Sequence, residues 1–202
     1  MKRLIVGIIV LSVIAMIYHL ITPTSGIVNR TPSEGTIVCF GDSLTFGTGG
    51  SKGMDYPAQL SRMIGLPVIN AGVPGDTTAT ALKRLDGVLE TRPRIVLITL
   101  GGNDLKNGVS RQTAFGNLRA IIRSLQAEGA LVIIGGIDFP FYGKGFSGAY
   151  QELAEETGSV LIPDVFAGIM GVRGLMSDPI HPNSQGYTIM AQHFYRALQP
   201  YL

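Results

Sequence analysis

Residues 94–101 read RIVLITLG, with apolar and β-branched side chains in an unbroken row rather than in alternation. A strand of this kind offers apolar groups to both sides, so it must be covered on both faces, as in a parallel sheet held between helical layers. The neighbouring segments fit that frame. TIVCFG (36–41), PVINAG (67–72) and ALVIIGG (130–136) read as further strands, and VLIPDVF (160–166) contains a fifth. Helix signals lie between them. YPAQLSRMIG (56–65) has Pro57 in its first turn and Gly65 at its end. Residues 77–92 carry Leu82, Leu85 and Leu89 at helical spacing and stop before Pro93. Residues 111–129 place Leu118, Ile121, Ile122 and Leu125 on one face and end at Gly129. A short helix is expected at 149–158, and a closing one follows Asn183, its N-cap. The expected fold is therefore α/β, three layers α/β/α around a mainly parallel five-stranded sheet with right-handed crossovers. Ligands of such sheets collect at the carboxyl ends of the strands.

The first residues obey a different pattern. After Met1-Lys2-Arg3 comes LIVGIIVLSVIAMIYHLI (4–21), without an acidic residue. As a helix it would be about 27 Å long, close to the thickness of a bilayer core. Residues 1–21 are expected to form a membrane anchor, or a signal segment if cleaved, although no A-x-A site follows. Lys2 and Arg3 predict a cytoplasmic amino terminus and an extracytoplasmic domain, periplasmic or extracellular, or secreted after cleavage. Residues 22–35, rich in Thr, Pro, Ser and Gly, read as a linker to one domain at 36–202. Lys2, Arg3 and Arg30 lie in the first 33 residues with no acid, which leaves 13 basic and 14 acidic residues beyond. The basicity of the chain thus belongs to its leader and gives no argument for nucleic acid. Cys39 is the only cysteine, so no internal disulfide forms, and its strand position suits a small core residue.

Polar or glycine turns follow the first three strands, at Ser43, Gly72 and Asn103. Each lies about one βα repeat from the next, so all three converge on one crevice. Near the carboxyl end, SDPIHPNSQGY holds Asp178 and His181 three positions apart. Pro179 suits position i+1 of a type I turn beginning at Asp178, which lets the carboxylate reach the imidazole. A serine hydroxyl needs a base before it attacks a carbonyl, and His181 suits that work with Asp178 orienting its ring. An oxyanion formed in such a step needs preplaced donors: the N–H groups of Ser43 and Gly72 and the Asn103 amide are the candidates. No metal site is indicated, because neither H-E-x-x-H nor paired cysteines occur. GTGGSKG (47–53) lacks the ending of a phosphate loop and reads as a flexible loop beside the site.

With these residues in order, the chain resembles the SGNH, or GDSL, hydrolases: GDSL at 41–44, NAGVPGDTT with Gly72, GGND with Asn103, and DPIHPN with Asp178 and His181. INAGVPGDTT, RPRIVLITLGGND and IHPNSQGY are most similar to the arylesterase, lysophospholipase and thioesterase I branch. The resemblance spans roughly 36–202 and implies a flavodoxin-like three-layer fold, a Ser43–His181–Asp178 triad and no cofactor. It further implies an oxyanion hole completed by Gly72 and Asn103, with Asp42 organising the turn. The implied activity is hydrolysis of acyl esters or thioesters, lipid-derived or small aryl and alkyl. O-acetyl groups on cell-wall or other polysaccharide are the alternative substrates, and a non-catalytic binding module on the same scaffold is a third reading. FPFYGKGF (139–146) and FAGIMGVRGLM (166–176) are apolar loops placed to receive an acyl chain.

Overall fold

The computed structural model describes residues 26–31, 34–138 and 146–202. The expected anchor, residues 22–25 and 32–33 of the linker, and residues 139–145 lie outside the described residues. Among those described, no helix is long and apolar enough to cross a membrane.

Five strands form one sheet: β1 (Thr36–Gly41), β2 (Val68–Gly72), β3 (Pro93–Thr99), β4 (Leu131–Gly135) and β5 (Val160–Ile162). All pairings are parallel, in the order β2-β1-β3-β4-β5. The chain moves outward from β1 to β2, then crosses back to β3, so the order reverses beside β1. A crevice opens at the carboxyl ends where such a reversal occurs. Ile95, Val96, Leu97 and Ile98 of β3 are buried, as their unbroken apolar run requires.

The helices are α1 (Ser43–Phe46), α2 (Tyr56–Ile64), α3 (Thr78–Lys83), α4 (Leu85–Leu89), α5 (Gly102–Lys106), α6 (Arg111–Ala127), α7 (Phe146–Thr157) and α8 (Ser184–Leu198). On one face of the sheet α2 packs against α8, where Tyr56 stacks on Phe194 with ring centroids 4.6 Å apart. On the other, α6 lies between α3 and α7. Pairs of this kind contribute about 0.5–1.5 kcal/mol beyond the area they bury.

Not every helix follows the sequence expectations. The helix expected over 77–92 is two helices, α3 and α4, meeting at Arg84, whose φ of −109° leaves the helical range. The leucine spacing continues through the break and hides it. β5 ends at Ile162 because Pro163 has no N–H to donate onward. The short helices α1 and α5 have too few residues to show a period. Within the segment read as a linker, Ile27 packs against the core. The Val28 N–H donates to the Gly158 carbonyl at 2.9 Å, and Asn29 Nδ2 to the carbonyls of Gln126 at 2.9 Å and Ala130 at 3.0 Å.

Candidate active site

β1 ends at Gly41, and the position needs glycine for a steric reason: a Cβ there would collide with the Thr45 side chain and the Thr99 carbonyl. Asp42 caps the helix that follows, its Oδ1 accepting the Leu44 N–H at 3.0 Å. Ser43 is the first residue of α1, so the helix ladder makes no use of its N–H. The turn lifts the Ser43 hydroxyl out of the sheet, and His181 Nε2 lies 3.0 Å from Ser43 Oγ. On the other side of the ring, Nδ1 lies 2.6 Å from Asp178 Oδ2. Hydroxyl, imidazole and carboxylate form one hydrogen-bonded line.

The turn at Pro179 does bring Asp178 to His181, but by a different bond from that of a type I turn. Asp178 Oδ1 accepts the N–H groups of Ile180 at 2.9 Å and His181 at 2.8 Å. Its carboxylate thus takes the place of a backbone carbonyl in the turn. One oxygen builds the turn and the other meets the ring. Partial burial pushes the Asp178 carboxyl up, yet the His181 ring and the Ile180 and His181 N–H groups outweigh it and hold it below the usual carboxylate range. The loop is pinned at both ends. The Ser177 N–H donates to the His181 carbonyl at 2.9 Å, and Asn183 caps α8 while its Nδ2 reaches the Gly174 carbonyl at 2.8 Å.

Asn103 lies where the sequence puts it, just after β3, and both of its amide hydrogens have acceptors. Nδ2 donates to the Asp76 carbonyl at 2.9 Å and to Asp42 Oδ2 at the longer distance of 3.3 Å. Asp42 is therefore more than a cap, since it joins the Ser43 turn to Asn103. It is only 3% exposed, and burial, with Asp76 and Asp104 nearby, pushes its carboxyl up to about 7 against the pull of the Leu44 N–H. Asp104, next along the same turn, is fully buried and accepts from the Thr78 N–H at 2.8 Å and the Thr78 hydroxyl at 2.7 Å.

Gly72 does not match its expected place as a free donor. Its N–H donates to Asn70 Oδ1 at 2.9 Å, and a Cβ at this position would collide with the Phe46 backbone. Glycine is needed there for close packing of β2 against α1. Gly75, which the sequence reading passed over, sits in the next turn with φ +86°. Its N–H finds no acceptor among the described residues, and it adjoins Asp76, whose carbonyl holds Asn103.

Arg84 was also passed over. From the break between α3 and α4 its Nη2 donates to the carbonyls of Gly41 at 2.9 Å and Ala71 at 3.0 Å, while Nε meets Asp76 Oδ2 at 2.6 Å. Its guanidinium also lies 4.5 Å from the Phe40 ring centroid. A charge on a helix ordinarily reads as solvated, and nothing in the sequence distinguishes this one.

The loop at 47–53 is not loose. Tyr187 donates its hydroxyl to the Thr48 carbonyl at 2.8 Å, and the Ser51 N–H donates to Ser184 Oγ at 3.0 Å, so contacts with α8 hold a segment whose glycines suggested freedom. Cys39 is fully buried, and burial pushes its thiol up, away from thiolate chemistry. A cleft of about 410 Å³ opens beside Ser43 and His181, walled by Leu44, Leu105, Ile137, Phe166 and Ile180, with Lys106 also on its lining. Phe166, from the second apolar loop, takes the place expected of it.

Comparison with known proteins gives a consistent result. The GDSL-like Lipase/Acylhydrolase family matches residues 39–189. Esterase TesA of Pseudomonas aeruginosa is 32% identical over 179 residues, covering 83% of this chain and 89% of the relative. Thioesterase 1/protease 1/lysophospholipase L1 of Escherichia coli is 32% identical over 180 residues, covering 85% of this chain and 86% of the relative. A crystal structure of TesA superposes with a TM-score of 0.79 at 32% identity, covering 83% of this chain and 99% of that one. The esterase EstA of Pseudoalteromonas, in a structure inhibited by monoethylphosphonate, gives 0.76 at 29% identity, covering 82% and 97%.

Proposed function

This chain belongs to the GDSL-like lipase and acylhydrolase family, and from that premise we propose that it hydrolyses lipid-derived or small aryl and alkyl acyl esters, or thioesters, through an acyl-enzyme on Ser43. The observation that carries the reading is the line from Ser43 Oγ through His181 to Asp178, with steps of 3.0 and 2.6 Å.

His181 Nε2 takes the hydroxyl proton as Ser43 Oγ attacks the carbonyl carbon. Asp178 keeps Nδ1 protonated and stabilises the imidazolium that forms. The oxyanion is held by the Ser43 N–H and by the Asn103 amide, whose longer bond to Asp42 is the one that yields. The third donor is assigned to the Gly75 N–H in place of that of Gly72. Collapse of the intermediate expels the alcohol or thiol with the proton from Nε2. Water, deprotonated by the same base, then attacks the acyl carbon, freeing the acid and restoring the Ser43 hydroxyl. The apolar walls of the cleft favour an acyl chain over a sugar. Residues 4–21 are proposed to tether the domain to a membrane, on its extracytoplasmic side.

The test is a series of chromogenic esters of increasing acyl length, with the purified chain and its Ser43→Ala variant. Wild type is expected to turn over several of them, and Ser43→Ala none above background. Equal rates for the two proteins throughout the series would remove the serine from the mechanism.

A further inference from the structure

The chain enters the domain at the end opposite to the cleft. Val28 bonds to Gly158, immediately before β5, and Asn29 bonds to Gln126 and Ala130, at the end of α6 and just before β4. Gly158 lets this segment approach closely, since a Cβ there would lie 2.8 Å from the Gly26 carbonyl oxygen. Ile27 is fixed in the core margin between them. These contacts all lie at the amino ends of the strands, whereas Ser43, Asn103 and His181 gather at the carboxyl ends.

The separation has two components. Along the strands, β1 alone has six residues, about 20 Å at about 3.3 Å each. Across the sheet, β4 and β5 lie two and three places from β1 in the order, about 10–15 Å at the usual strand spacing. The tether and the hydroxyl are therefore diagonally opposed. Between Ile21, where the apolar run ends, and Gly26 there are five peptide steps, which span about 18 Å at most. That reach is too short to let the domain turn over and bring Ser43 to the bilayer. Tilting it onto its β5 side would leave β1 above the surface.

We propose that the domain stands on its membrane by the amino ends of β4 and β5, with the cleft facing away from the bilayer that holds it. The enzyme then takes acyl esters presented from the aqueous side and does not draw them from its own bilayer. This rests on the reading of residues 4–21 as an uncleaved anchor.

The test uses the full chain in phospholipid vesicles, with a fluorophore on one introduced cysteine at a time. Glu128→Cys, exposed before β4, labels the amino ends of the strands, and Asn107→Cys, exposed after α5, labels the side of the cleft. Cys39 is buried and does not compete for the label. With a nitroxide on the lipid headgroups, the label at 128 is expected to be quenched several-fold more strongly than that at 107. Equal quenching, or the reverse, in chains that float with the vesicles would overturn the orientation while leaving the anchor intact. Chains that fail to float with the vesicles would overturn the anchor, and the orientation with it.

Discussion

The Arg84 guanidinium donates to the Gly41 carbonyl across 2.9 Å, holding the end of β1 from a residue 43 positions later in the chain. The same side chain holds Ala71 at the end of β2 and Asp76, so the turn of Ser43 and the carbonyl that grips Asn103 share one clamp. Arg84 bonds to neither Ser43 nor Asn103, but it ties together the segments that carry them. Replacement by Met is expected to lower kcat by about tenfold or more, the equivalent of about 1.4 kcal/mol of barrier, with little change in KM. Added guanidinium ion restores part of the loss if the clamp is what matters. An unaltered kcat in a folded Arg84→Met chain would refute the clamp.

Asp178 divides its two oxygens between the turn and the ring, which lets two substitutions separate the roles. Asp178→Asn keeps an oxygen for the Ile180 and His181 N–H groups and gives up the charge beside Nδ1. Its kcat should fall by about 10³–10⁴ while KM moves little and melting changes modestly. Asp178→Ala forfeits the turn as well and should melt at a lower temperature than Asp178→Asn. Equal melting of the two would show that the turn does not depend on Oδ1.

Asp42 gives the fold a pH dependence of defined sign. Its carboxyl stands at about 7 in the folded chain, against about 3.9 when unfolded. Between those values the folded chain holds a proton that the unfolded chain has lost, so this group's contribution to stability falls as pH rises through that window. Asp178, held low, contributes in the opposite sense below the carboxylate range, and being exposed it contributes less. Comparing melting temperatures at about pH 5 and about pH 8 should show a steeper fall for wild type than for Asp42→Asn. Parallel slopes would place the charge of Asp42 elsewhere than in the buried turn.

Leu105 lies half-buried on the cleft wall. Leu105→Trp is expected to move the preferred acyl chain to shorter lengths, with kcat/KM for a short ester kept and that for a long one reduced by about 10–100-fold. A uniform loss at every length would indicate damage to the catalytic geometry instead.

The strands and the residues at their carboxyl ends were legible in the sequence because each signal is local. An unbroken apolar run marks β3, and the turn after it carries Asn103 within four residues of its end. The Asp178–His181 pair was legible for the same reason, although which oxygen closes the turn was not. What the sequence hid depends on contacts between distant segments. Gly72 and Gly75 are equally good glycines on paper; only the Asn70 side chain, folded back to occupy the Gly72 N–H, tells them apart. The break at Arg84 is set by acceptors 8, 13 and 43 positions away, none of which disturbs the leucine period. The loop at 47–53 lost its freedom to Tyr187 and Ser184, more than 130 positions later.

His181 lies 138 positions after Ser43, on a loop capped onto the last long helix. Ser43 leaves the ribosome early, but the loop of His181 has nothing to seat it until α8 has been made and docked, through Phe194, against Tyr56.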